Sequence, residues 1–333
     1  MTWRSLERLV PAGPLLASGM LARLQQATTL SLIALAVAWA AWFGSQGRVV
    51  WALAGALLLL FGYALFLAFE FVLLAMTHGD DPSPRASLRE LLRAWSGEVL
   101  VAPRVFCWRQ PFRSKAEPDW LPASAQGRRG VVLVHGFVCN RGFWNPWMAR
   151  LRSAGTPFVA VNLEPVFGSI DDYAIIVDRA VRRLRECTGC PPVLVAHSMG
   201  GLAVRAWLAS QGVTEQVARV VTIATPHTGT WLARFGTTRN GLQMRRGNDW
   251  LEQLTAAEAR RQPQRPYDQF TCFYSHCDNI VFPPSTATLP GADNRHLRGC
   301  AHVHLAFQPT VFNEVCRWVG ASQAASVAAV AAQ

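Results

Sequence analysis

The stretch VLVAHSMGG, Val193 to Gly201, runs from an apolar, β-branched segment directly into small residues and then into the helix-like GGLAVRAWLAS, with Ser198 at the change. A short apolar run cut off in this way reads as a buried strand, and a strand that turns at once into a helix lifts the residue at the turn out of the end of a sheet. Such a turn is strained and crowded, so it needs very small residues two positions on either side of the serine. Ala196 and Gly200 occupy those positions. A small-x-Ser-x-Gly match alone is common by chance; the flanking strand and helix make Ser198 a candidate nucleophile.

Working outward, short apolar runs alternate with amphipathic stretches from Gly130 onward. VVLVH (131–135), FVAVN (158–162), VVTIA (220–224) and FTCFYS (270–275) read as strands, SIDDYAIIVDRAVRRLREC (169–187) as a helix with a capping serine and acidic first turn, and 309–319 as a terminal helix. The pattern predicts an α/β fold with a mostly parallel central sheet covered by helices. A serine hydroxyl is scarcely ionised at neutral pH, so it needs a histidine to take its proton and an acid to orient that histidine. Asp278, shortly after FTCFYS, and His302, in the loop GCAHVHLAF, are the expected partners, with Asp293 and His304 as alternatives. His135 is expected to brace its loop, His197 to pack within the turn, and His227 to order the loop after its strand. His78, His276 and His296 have no partners visible in sequence. No His/Asp/Glu cluster has metal-ligand spacing, so no metal and no cofactor is expected.

HGFVCN (135–140), AHSMGG (196–201), ATPHTGT (224–230), CDNIV (277–281) and AHVHLAF (301–307) together resemble bacterial α/β-hydrolase lipases and esterases, over about residues 130–319. Alanine at 196 replaces the first glycine of the usual G-x-S-x-G. The resemblance implies an α/β-hydrolase fold, the chain order Ser198, Asp278, His302 for a catalytic triad, and an oxyanion hole made by the backbone N–H groups of Phe137 and Met199. It implies cleavage of carboxylic esters, lipid or fatty-acyl esters above all, and a cap over residues 229–264 that carries Trp231, Phe235, Leu242 and Trp250. That cap either opens at a lipid surface or packs on the core. Acyl transfer or membrane-lipid deacylation is an alternative chemistry, and a catalytically silent membrane scaffold is the alternative from another class. A transporter component would leave the large enzyme-like domain unexplained.

The first part of the chain departs from a secreted lipase. Thr28 to Phe43 is uncharged and Val49 to Met76 is apolar apart from Glu70, which predicts two transmembrane helices within 28–76 joined as a hairpin by GSQGR. The second run is long enough to leave the bilayer before Glu70, which is expected at the interface. The 27 residues ahead of the first run are too many for an ordinary signal-peptide n-region. Arg4, Arg8 and Arg23 precede the hairpin and Arg85, Arg89 and Arg93 follow it, against Arg48 in the turn. Positive-inside counting therefore puts both ends, and the hydrolase domain, on the cytoplasmic side of the inner membrane. Residues 77–129 read as a linker with an amphipathic membrane-surface or docking helix at Ser87 to Trp95, and 320–333 as a mobile tail. The net charge of +11 is scattered arginine, Lys115 being the only lysine; it suits anionic headgroups and brings no nucleic-acid-binding motif. The eight cysteines are too sparse for a disulfide scaffold and are expected as free thiols, the Cys187/Cys190 spacing being incidental.

Overall fold

The computed structural model describes residues 19–211 and 216–331; Arg4, Arg8 and most of the expected N-terminal segment lie outside the described residues. Six strands, β1 (Val131–Val134), β2 (Phe158–Ala160), β3 (Val193–His197), β4 (Arg219–Ile223), β5 (Phe270–Tyr274) and β6 (Asp293–His296), form one parallel sheet in the order β2-β1-β3-β4-β5-β6. Val131 pairs with Phe158 on one side and with Val193 on the other. β1 to β4 are buried nearly throughout, as apolar strands covered on both faces must be.

Alternation divides the strand residues between two cores. Val132, Val134, Leu194, Ala196 and Val220 pack with the helices Ala174–Thr188 and Met199–Ser210. Val131, Leu133, Val193, Val195 and Val221 pack with Asn145–Ser153 and the terminal helix on the opposite face. The chain leaves β1 outward to β2 and returns across it to β3, so the sheet order reverses between β1 and β3. A crevice at the carboxyl ends of the strands opens at such a switch point, which puts the loops after β1 and β3 side by side.

The segment after β4 forms two short helices and the longer helix Asp249–Arg261. Ala233, Met244, Leu251 and Leu254 join the first core. Arg205, on the helix after Ser198, meets Glu258 in a buried fork, Nε to Oε1 at 2.9 Å and Nη2 to Oε2 at 2.7 Å. Tyr267 Oη donates to the same carboxylate at 2.7 Å. These contacts favour the packed form of the cap for its longer helix.

Among the described residues, four long helices precede the sheet. α1 (Met20–Ser45) is long and apolar enough to cross a membrane. The expected second span is two helices, α2 (Val49–Phe61) and α3 (Tyr63–Met76), bent by 54° at Gly62. Trp39 Nε1 donates to Trp51 O at 2.8 Å where α1 packs on α2, and a Cβ at Gly55 would overlap the Trp39 ring. α4 (Leu88–Pro103) opens with a Ser87/Glu90 capping box as its sequence suggests, but runs well past Trp95 and continues through a π-helical turn to Arg109. The terminal helix likewise runs on from Pro309 to Ala331 through most of the expected mobile tail, whose last residues, 332–333, lie outside the described ones.

Removing one partner of a buried ion pair strands the other charge at a cost of about 3–5 kcal/mol, whereas replacing both by apolar residues is far milder. Glu258→Ala is therefore expected to lower stability by about that amount, and Arg205→Met combined with Glu258→Met by less than Glu258→Ala alone, both read by urea unfolding of the purified protein.

Candidate active site

Three of the loops at the carboxyl edge of the sheet carry a non-glycine residue with positive φ: Val138 (52°) after β1, Ser198 (55°) after β3 and Ala224 (52°) after β4. A β-branched residue rarely adopts this region, and strained residues of this kind gather where surrounding structure over-determines them. Ser198 N–H donates to Ile223 O at 2.8 Å, pinning the turn to β4. The space around it explains the small residues. A Cβ on Gly200 would come within 2.5 Å of His135 O and 2.8 Å of Val134 O, and a Cβ on Gly136 within 2.8 Å of Ser198 Cβ.

Phe137 and Met199 begin the turns that flank this point, and among the described residues neither backbone N–H has a protein acceptor. Met199 opens its helix, where N–H groups lack intrahelical partners. His135 braces the first loop: its Nδ1 lies 2.9 Å from Gly136 O and its Nε2 accepts from Leu163 N–H at 3.0 Å. Burial pushes this imidazole down to about 4, so it stays neutral.

Asp278 and His302 are brought together. His302 Nδ1 lies 3.0 Å from both oxygens of Asp278, whose Oδ1 also accepts from the N–H groups of Ile280 at 2.9 Å and Val281 at 2.8 Å. Burial pulls His302 downward, but the Asp278 charge and hydrogen bond, aided by Glu98 and Glu70, outweigh it and hold the imidazole above its ordinary value. His197, next to Ser198, donates its Nε2–H to His302 O at 3.1 Å, and its ring lies 4.6 Å from the His302 ring while stacking on Phe143. No hydrogen bond joins Ser198 to His302 among the described residues; such contacts are often long without substrate. The two alternatives lie elsewhere. Asp293 begins strand β6, not a loop, and pairs with Arg295 and Arg219. His304 packs against Gly97 of α4 and gives its N–H to Glu98.

A sequence profile described as the alpha/beta hydrolase family matches residues 131–325, which is more than half of the chain and takes in every one of these loops. The chain belongs to the alpha/beta hydrolase family. No curated protein sequence matches it. Among solved structures this hydrolase is similar to the Bacillus licheniformis lipase BlEst2 in mature form, at 16% identity over 58% of this chain and 92% of that one with a TM-score of 0.50. It is also similar to Aspergillus fumigatus lipase B, at 18% identity over 60% and 55% with a TM-score of 0.49. Similarity to a Paleococcus ferrophilus monoacylglycerol lipase is 15% identity over 59% and 97%, TM-score 0.43. At these identities the likeness is one of fold.

Several residues around the site of this hydrolase carry no motif. Glu70, expected at a membrane interface, is buried, and its Oε2 accepts from Asn279 Nδ2 at 2.6 Å. Asn279 Oδ1 in turn accepts from His302 N–H at 3.1 Å. Glu98 of α4 accepts from the N–H groups of Val303 at 3.0 Å and His304 at 2.9 Å. Fully buried Gln110 accepts from Asn140 N–H at 3.0 Å and receives Gln25 of α1 at 3.3 Å, tying the loop after β1 to the first helix. The signal available in the sequence was a lone carboxylate in an apolar stretch, which names no partner. His276 and His296, also without visible partners, hydrogen-bond each other at 2.7 Å beside Glu90.

Because the atoms facing Gly200 are backbone carbonyls, Gly200→Ala cannot be absorbed by a rotamer change. It is expected to lose about 1–3 kcal/mol of stability, the usual cost of overpacking, measured as a lowered midpoint in thermal or denaturant unfolding.

Proposed function

We propose that this chain is a membrane-associated serine hydrolase that cleaves carboxylic esters, fatty-acyl lipid esters foremost, through an acyl-enzyme on Ser198. The observation that carries the reading is the buried Asp278–His302 hydrogen bond, whose imidazole lies against His197, the residue before the positive-φ serine at the end of β3. Ser198 Oγ attacks the acyl carbon as His302 Nε2 takes its proton, and the imidazolium is held by Asp278 through Nδ1–H. The N–H groups of Phe137 and Met199 donate to the oxyanion, each such donor being worth about a hundredfold to a thousandfold. Collapse of the tetrahedral intermediate expels the alcohol, protonated by His302, and water activated by the same imidazole then releases the acid.

The lipid preference rests on the first helices. α1 is apolar enough to span, and Val50, Trp51, Leu57, Phe66 and Phe69 point their apolar side chains outward from α2 and α3. Together with the arginines at 23, 85, 89 and 93 this supports an inner-membrane enzyme whose hydrolase domain, about 130–319, faces the cytoplasm.

Full-length protein in membranes is expected to react with a fluorophosphonate probe and to hydrolyse a graded p-nitrophenyl ester series. Ser198→Ala should abolish labelling and lower turnover by about 10⁴-fold or more. Folded wild-type protein that neither labels nor turns over any ester would put the catalytically silent scaffold in place of the hydrolase reading.

Because His302 is held above the ordinary histidine value, the base loses its function early as pH falls. The acid limb of kcat/KM is expected at a pH above about 6.5, the unperturbed value, and Asp278→Asn should move it to lower pH, read from a pH–rate profile on a soluble short-chain ester.

A further inference from the structure

Two buried carboxylates stand behind the candidate base on elements that precede the region matched by the family, Glu70 on α3 and Glu98 on α4. Neither takes part in the acyl chemistry described above. Between them they account for three successive backbone N–H groups. Glu98 accepts from Val303 and His304, and Glu70 holds Asn279, whose Oδ1 accepts from His302 itself. Asn279 is 1% exposed, so each end of its amide needs a partner inside the protein. The acceptor at Glu70 fixes the amide with its nitrogen toward α3 and its oxygen toward His302.

We propose that Glu70 and Glu98 are positioning residues for the base: they hold the backbone of residues 302–304, set the direction in which the His302 imidazole meets Ser198 and Asp278, and make α3 and α4 a working part of the active site. The proposal rests on the serine-hydrolase reading. Two structural features support it beyond the hydrogen bonds. Phe71 and Leu74 of α3, Ala94 of α4, and Cys277, Phe282 and Ala301 from the loops carrying the acid and base form one buried apolar cluster, so the carboxylates approach on rigidly packed helices. α3 and α4 are also tied to each other, by Tyr63 Oη to Val99 O at 2.9 Å and by Trp95 Nε1 to Ala64 O at 2.8 Å.

The arrangement is electrostatic as well as steric. His302 is faced by Asp278 from the loop after β5, Glu98 from α4, Glu70 from α3 and the neutral His197 from β3. Burial pushes the Glu98 carboxyl up to about 7, against the N–H groups of His304 and Val303 and the His302 charge that favour its ionised form. Its charge is therefore available to respond over the range in which His302 works. Removing the Glu98 charge lowers the affinity of His302 for a proton.

The experiment compares full-length wild type with Glu70→Ala, Glu70→Gln, Glu98→Ala and Glu98→Gln in detergent or lipid nanodiscs. Turnover of p-nitrophenyl butyrate is divided by active sites titrated with a fluorophosphonate, and Ser198→Ala serves as the blank. The alanine variants are expected to lose about ten- to a hundredfold in kcat per titrated site, the scale set by a misplaced catalytic group, with KM unchanged. Glu70→Gln keeps an acceptor for Asn279 and is expected to restore kcat per titrated site relative to Glu70→Ala, with the acid limb of kcat/KM moved to lower pH by the lost charge. Glu98→Gln should move the acid limb of kcat/KM to lower pH. If the alanine variants lose only titratable sites while kcat per site and the pH profile stay at wild-type values, the two residues are staples of the fold and the proposal is wrong. Should Glu70→Ala fail to accumulate, Asn279→Ala cuts the same relay from the other side and must show the same loss of kcat. Wild type that neither labels nor turns over would sink the hydrolase reading instead. The titration of the His302 ring, followed by imidazole nitrogen NMR, would then decide this proposal, which a titration unchanged by Glu98→Gln overturns.

Discussion

Ser198 keeps a backbone conformation that costs an L-residue on the order of 1–3 kcal/mol, and much of the surrounding architecture serves to hold it there. Its N–H is fixed to Ile223 of β4, the oxygens of Val134 and His135 close over Gly200, and Gly136 lies against its own Cβ. All of these come from the carboxyl ends of adjacent strands, β1, β3 and β4, and the strand order makes them adjacent. The turn thus depends on correct assembly of the sheet centre, and the carbonyls of that centre leave no room for a Cβ at position 200. Neutral His135, hydrogen-bonded at both nitrogens, adds a rigid prop to the loop after β1.

The other half of the site has a different kind of support. Asp278 sits on the loop after β5 and His302 opens the one-turn helix His302–Leu305, both outside the most tightly packed strands, and loops and single turns alone hold side chains less precisely than strands or long helices. Here that precision comes from α3 and α4, which contribute both apolar packing and hydrogen-bond acceptors to the 277–282 and 301–304 segments. The loop after β1 is similarly held through Asn140, Gln110 and Gln25. The first helices are therefore joined to both sides of the candidate centre by buried polar contacts, which are strongly directional where apolar packing is not. A simple tether would need neither link.

What the sequence made legible follows from the range over which each signal acts. The strands β1, β3, β4 and β5 stand out because residues buried on both faces must be apolar along their whole length, and the elbow stands out because strand, small residues and helix are contiguous. β6, with the sequence DNRH, lacks that signature because it is an edge strand whose side chains are only half-buried and engaged in ion pairs. Asp293 thus read as a loop residue. Pro103 suggests a helix end, yet α4 passes through it into a π-helical turn. Glu70 read as interfacial because hydropathy sees only neighbours along the chain, whereas its partner Asn279 is 209 residues away in sequence.

The cap is held to the core by both apolar packing and buried polar contacts. Its helix Asp249–Arg261 is fastened by the Arg205–Glu258–Tyr267 network and by Leu251 and Leu254 in the core, so moving it would expose two opposite charges and an apolar face together. Residues 231–248 are seated as well: Ala233 and Met244 lie in the first core, fully buried Asn240 donates from Nδ2 to Val166 O at 2.8 Å, and Gln243 Oε1 accepts from Ile170 N–H at 2.8 Å, while Phe235 and Leu242 stay exposed. Both halves of the cap are thus fastened to the core, and its uncovered apolar surface is the side chains of Phe235 and Leu242 among the described residues. Arg205 sits on the helix that begins immediately after Ser198, so the clamp that immobilises the second half also stiffens the helix behind the nucleophile. One buried ion pair thus ties the longer helix of the cap to the helix behind the serine.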